Sequence, residues 1–171
     1  MKNRIKYLFF SCFSLAVILG FFVSCGSSPN TTASLSSSRQ QPVDRQSRVD
    51  LYMRYLQNEG HNPSIDEDGD ILFSLEDIEF FVRVNERDPS FTMIVLPNIY
   101  AANTDAELEM AAAAAAYTNN ATKVAKVFLV GPNDNVAYIA VEIYLENPND
   151  FAVLFSRFIN DIYIALNQFF S

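Results

Sequence analysis

Several groups of residues in this 171-residue chain have the types and spacing for chemistry. Asp66-Glu67-Asp68-Gly69-Asp70 alternates carboxylates, as a calcium loop does. Its register is wrong for an EF-hand: counting from Asp66, Ile71 stands where glycine is required and Asp77 where a bidentate Glu is needed. A tight turn fits these residues better, since Asp and Gly tolerate turn dihedrals. His61 is the only histidine, so no histidine pair can hold a metal and any Ser–His–acid relay must pass through it. No serine lies in a Gly-x-Ser-x-Gly elbow. Behind Gly60, His61 reads as a helix-end residue that caps carbonyls or faces water. Glu76-Asp77 and Asn133-Asp134-Asn135 read as turn chemistry rather than as acid pairs. Lys123 and Lys126 fall on a strand otherwise full of Val, Ala and Phe, where they mark a solvent edge or, alternatively, meet an acidic partner group. No catalytic residue, metal site or cofactor is expected.

Cys25 is the residue with the clearest chemistry. Lys2, Arg4 and Lys6 precede an uncharged apolar stretch from Tyr7 to Val23, and Phe22-Val23-Ser24-Cys25-Gly26 follows, resembling the lipobox at which bacteria lipidate and cleave exported precursors. Ser24 supplies the small residue before the cysteine, while Phe22 and Val23 depart from the usual Leu and Ala or Ser. The alternative is an uncleaved anchor, the apolar stretch approaching the roughly 17–25 residues that span a bilayer. Several acyl chains on Cys25 would hold the chain stably on a membrane, where one chain holds it only marginally. Residues 1–24 are thus expected as a signal peptide, and residues 25–43 as the lipidated cysteine and a Ser/Thr-rich tether too polar to fold. Residues 44–171 are expected as one domain.

Removing the leader leaves nine basic against 20 acidic residues, a formal charge of −11. Nucleic acid and anionic lipid surfaces need the opposite excess, so both are excluded as partners. Cys12 leaves with the signal, so no disulfide holds the mature fold.

The elements follow from periodicity. Val49, Tyr52, Met53 and Leu56 take the i, i+3, i+4, i+7 spacing of a helical face within 44–59, with Gly60 as a stop. Period-two apolar residues over Ile71–Leu75 and Ile78–Val84 give two antiparallel strands, and Phe91–Leu96 a third that ends at Pro97. Thr104 and Glu107 form a capping box that opens a second helix through Met110, six alanines and Tyr117. Alanine is the best helix former and also permits close packing on a sheet; close packing is the favoured reading. Lys123–Val130 and Val136–Leu145 form a hairpin around GPNDN. Asn147 as cap and Pro148 at the first helical position open the last helix. Its apolar face includes Phe155, Phe158, Ile159, Ile162 and Tyr163, wider than one small sheet usually covers. Either this face is deeply buried or it meets a partner or a second copy.

The expectation is an α+β domain: an antiparallel sheet of about five strands with helices packed on it, in the order α-β-β-β-α-β-β-α. That order, with Tyr52 to Val84 (YMRYLQNEGHNPSIDEDGDILFSLEDIEFFVRV), Asp88-Pro89, Leu96-Pro97-Asn98 and Asn119-Asn120 to Lys126, resembles the type III secretion chaperone-like fold and, more closely, the YbjN family. The resemblance implies that fold, dimers, a surface for a partner's extended segment, and no defined reaction. The export leader departs from the cytoplasmic chaperones. Together these features point to a lipid-anchored envelope protein, in the inner or outer membrane, carrying a non-catalytic protein- or peptide-binding module. The alternatives are a structural envelope component, or a hydrolase whose residues converge only in space.

Overall fold

A computed structural model describes residues 44–171. The expected signal peptide, the expected lipidation site Cys25 and the expected tether lie outside the described residues. The first helix, α1 (Arg45–Asn58), starts at Asp44, whose carboxylate accepts the Ser47 N–H at 2.9 Å. That bond satisfies a free first-turn amide and holds the Asp44 carboxyl below its ordinary value. The helix ends where Gly60 turns to φ 87°, so that Gly60 N–H reaches Gln57 O and His61 N–H reaches Leu56 O. This paired closure satisfies carbonyls that the helix leaves open, at a dihedral suited to glycine.

Six antiparallel strands follow: β1 (Ser64–Ile65), β2 (Ile71–Leu75), β3 (Ile78–Val84), β4 (Phe91–Ala101), β5 (Ala125–Val130) and β6 (Val136–Tyr144), in the spatial order β1-β2-β3-β4-β6-β5. The α+β class and element order are those expected from the sequence. The sixth strand is β1, two residues too short to show a period. Glu76 and Asp77 close the β2–β3 hairpin with φ 51° and 66°, the paired left-handed dihedrals that match strand twist. The strand β4 runs past Pro97 instead of ending there. Its register shifts between Leu96 and Tyr100, and the ladder to β3 has stopped at Val95, so neither neighbour needs the amide that proline lacks.

Helix α2 (Asp105–Ala121) opens with the Thr104–Glu107 capping box, and α3 (Asp150–Phe169) closes the chain. The third helix starts later than expected. Asn147–Asp150 forms a turn first, with Asn147 Oδ1 accepting the Asn149 N–H at 3.2 Å and Asn147 O accepting that of Asp150 at 3.0 Å.

One face of the sheet carries the core. Phe73, Phe80, Val82, Ile94, Leu96, Val127, Ile139 and Val141 alternate along the strands and pack with all three helices. Aromatic side chains link the layers: Tyr52 stacks on Phe151 at 4.0 Å, Phe73 lies 5.6 Å from Phe155, and Tyr163 meets Phe80 edge-on. Burial of each such side chain contributes roughly 1.5–3 kcal/mol. The alanine run divides its labour, with Ala111 and Ala115 buried against the core while Ala112, Ala113 and Ala116 face outward.

Candidate functional site

The strands also carry apolar residues out of phase with the core. Phe81 lies beside Val95 and Val95 beside Ala140; Arg83 lies beside Met93 and Met93 beside Glu142; Phe128 pairs with Tyr138. These side chains occupy the face opposite the helices. Phe128 and Tyr138 stack at 5.0 Å, and Arg83 sits 5.4 Å over the Phe81 ring. A groove of about 320 Å³ runs across this face, lined chiefly by Phe81, Met93, Val95, Pro97, Val136 and Tyr138. The β4 irregularity shapes one end, where Asn98 adopts φ 51° and stands at the rim with Pro97.

The one cation at the groove is already paired. Arg83 donates through Nε and Nη2 to Asp70 Oδ2, at 2.8 and 2.6 Å. This hydrogen bond raises the guanidinium above its ordinary value against the opposing effect of burial. The Tyr138 phenol is also held above its ordinary value, first by burial and then by Glu142, with Arg83 opposing. The groove therefore presents an apolar floor, a neutral phenol and a self-neutralised ion pair. Such a lining excludes water from an apolar guest and offers no nucleophile beside a base.

The signal for this face is visible in hindsight. Phe80-Phe81, Ile94-Val95-Leu96 and Ala140-Val141 are runs in which both phases are apolar, the pattern of strands covered on both sides.

The acidic loop is a turn. Asp66 Oδ1 accepts the N–H groups of Asp68 and Asp70, and Asp66 O accepts that of Gly69. Arginines close over it: Arg45 donates Nη2 to Gly69 O at 2.8 Å and Nε to Val84 O at 3.0 Å, while Arg83 takes Asp70. These cations line, together with Asp68 and Asp70, a cleft of about 390 Å³. Among the described residues no group of three or more His, Cys, Asp or Glu is placed to hold a metal ion. The His61 ring packs 5.8 Å from Phe73 and 5.9 Å from Phe155, and its backbone closes α1.

Lys126 lies on β5, an edge strand, as its composition suggested, whereas Lys123 precedes the strand, which starts at Ala125. The Lys126 ammonium donates to Asn119 O and Thr122 O, carbonyls at the end of α2. Next to it the Asn119 amide imitates a strand residue, accepting Val127 N–H at 2.7 Å and donating to Val127 O at 2.9 Å. This blocks part of an edge that would otherwise pair with another chain. Replacing Asn119 with Ala is expected to cost about 1–3 kcal/mol by urea denaturation, since the two groups it serves lie half-buried.

The apolar face of α3 is the deeply buried one. Phe155, Phe158, Ile159 and Ile162 are 4%, 3%, 6% and 0% exposed within a single copy, and Tyr163 is half-buried against Phe80. Within a single copy, strands β2 to β6 and the flanking helices α1 and α2 cover these residues, with Tyr163 left partly open. Burial, with Glu76 adding, holds the Tyr163 phenol above its ordinary value. Among the described residues no helix is long and apolar enough to cross a membrane.

The architecture is similar to the crystal structure of YbjN from E. coli, described as a candidate transcription regulator, with a TM-score of 0.52 over 69% of this chain and 87% of that one. The two sequences are 15% identical, so the likeness establishes a YbjN-like fold and nothing about activity. The sequence matches no family model and no curated protein.

Proposed function

We propose that this chain is a lipid-anchored protein of the bacterial cell envelope whose α+β domain is a non-catalytic binding module, taking an apolar, extended segment of a partner protein on its helix-free face. The groove over Phe81, Met93, Val95 and Tyr138 carries the reading. It is concave and largely apolar, and its one cation, Arg83, is already paired with Asp70, so a guest gains by burying apolar surface and strips no free charge. The anchor rests on Cys25 within its lipobox-like run, and the tether after it would keep the domain clear of the headgroups.

Two measurements test the parts separately. Metabolic acyl labelling of the full chain is expected to vanish in Cys25→Ala; retained label would overturn the anchor. A photoreactive residue at Tyr138 should give a discrete adduct in cells, suppressed by Val130→Asp at the groove margin. The same group at Val153, which is 79% exposed on α3, should not. Equal adducts from both positions, or none from Tyr138, would overturn the groove as the binding face.

A further inference from the structure

Arg83 shows how this sheet holds a cation. Its guanidinium sits 5.4 Å over the Phe81 ring and pairs with the Asp70 carboxylate, so an aromatic face and a carboxylate share one positive charge. On the other side of Met93 the same two components recur without a cation. Met93 lies between Arg83 on β3 and Glu142 on β6, and two residues further along β4 and β6, on the same face, Phe91 pairs with Tyr144. These two rings stand 5.1 Å apart, Phe91 half-buried and Tyr144 64% exposed. Glu142 is exposed as well, and the one ion pair among the described residues is that of Arg83 with Asp70, which leaves Glu142 without a cation. The space beside it is open, because β5 begins at Ala125, opposite Val141, and gives β6 no strand neighbour at Glu142 or Tyr144 on that side.

We propose that Glu142, Tyr144 and Phe91 form a subsite for a basic side chain, arginine or lysine, carried by the same partner segment that fills the groove. The subsite rests on the groove being the binding face and adds the chemistry of the guest: an apolar run with a basic residue to one side of it. The face of a Tyr or Phe ring attracts a cation, and the carboxylate beside it supplies a charge-assisted hydrogen bond. Geometry sets the spacing. Val95 in the groove floor and Phe91 are four residues apart on β4, about 13 Å along the strand, so an extended guest spans the gap with about four residues. At that even spacing the guest's apolar and basic side chains point to the same face. Charge sets the sign. Glu142 opposes an acidic side chain at this position, and the 20 acidic against 12 basic residues of the chain favour the approach of a basic segment.

The photoreactive residue at Tyr138, in the full chain in cells, tests the subsite through the yield of adduct per amount of protein. Glu142→Gln and Tyr144→Leu should each lower that yield about fivefold, the scale of one exposed cation–π contact or ion pair. Glu142→Lys should abolish it. Glu79→Gln removes an exposed carboxylate on the same face but outside the groove lining, and should leave the yield unchanged. Thermal midpoints should match the parent chain throughout, since Glu79, Glu142 and Tyr144 are all exposed. Mass spectrometry of the adduct should find Arg or Lys within about six residues of the cross-linked one, the reach of an extended segment over this face. An adduct whose yield ignores Glu142→Gln and Tyr144→Leu, or falls equally with Glu79→Gln, or whose partner segment lacks Arg and Lys, would overturn the subsite and leave the groove standing. No adduct from Tyr138 in the parent chain would overturn the groove itself, and the subsite with it.

Discussion

Ile162→Asp is expected to abolish cooperative folding, while Ile164→Asp, two residues along the same helix, leaves the unfolding midpoint nearly unchanged. Ile162 is 0% exposed in the layer between α3 and the sheet, and Ile164 is 50% exposed. The aspartate at 162 removes a buried aliphatic side chain and places a carboxylate where the core supplies no partner, a combined loss above about 4 kcal/mol. Domains of this size are stable by roughly 5–15 kcal/mol in total, so such a loss consumes much of the margin. Circular dichroism during heating or urea titration reads both variants. A folded Ile162→Asp domain with an unchanged midpoint would mean that this face of α3 is open, and the groove on the opposite side of the sheet would lose its claim as the binding surface.

That contrast also shows where periodicity stops informing. The stripe of α3 was plain in the sequence, but its two readings, deep burial or contact with a partner, differ only in how much sheet lies opposite. Strands β2 to β6 and the flanking helices α1 and α2 supply that cover, while the sheet is further widened by a sixth strand and by the extension of β4 through Pro97. Neither was legible: β1 has two residues, and a proline ordinarily marks a strand end unless a bulge excuses its missing amide. Local devices were legible because they depend on neighbours in sequence, as with the Thr104–Glu107 box, the turn at Gly60 and the Glu76-Asp77 hairpin. The groove was not, since it assembles residues of four strands whose pairing order, β4 beside β6, only the folded sheet reveals.

Arg48 is the other residue whose role the sequence concealed, and Arg48→Met is expected to lower stability by about 2–4 kcal/mol. It stands four residues before Tyr52 on the buried side of α1 and is 3% exposed. Its guanidinium reaches across to the junction of β6 and α3, where Nη1 donates to Leu145 O and Nη2 to Glu146 O, while Nε has no partner among the described residues. Among the described residues no carboxylate pairs with it, and backbone dipoles hold the buried charge. Methionine matches the length of the side chain and removes the cost of burying a charge, which in other settings leaves stability unaltered or improved. Here the two carbonyls lose their donors, Leu145 O in the buried interior and Glu146 O in a partly buried position, and that loss dominates. Arg48→Lys keeps the charge and one donor nitrogen but not the fork, and should fall between Arg48→Met and the parent chain. Hydrogen exchange locates the effect: in Arg48→Met the amides of Asp150 and Phe151, which hang from the Asn147–Pro148 turn, should lose protection before those of the sheet. Equal stability of Arg48→Met and the parent chain would show that packing alone fastens α1 to this junction.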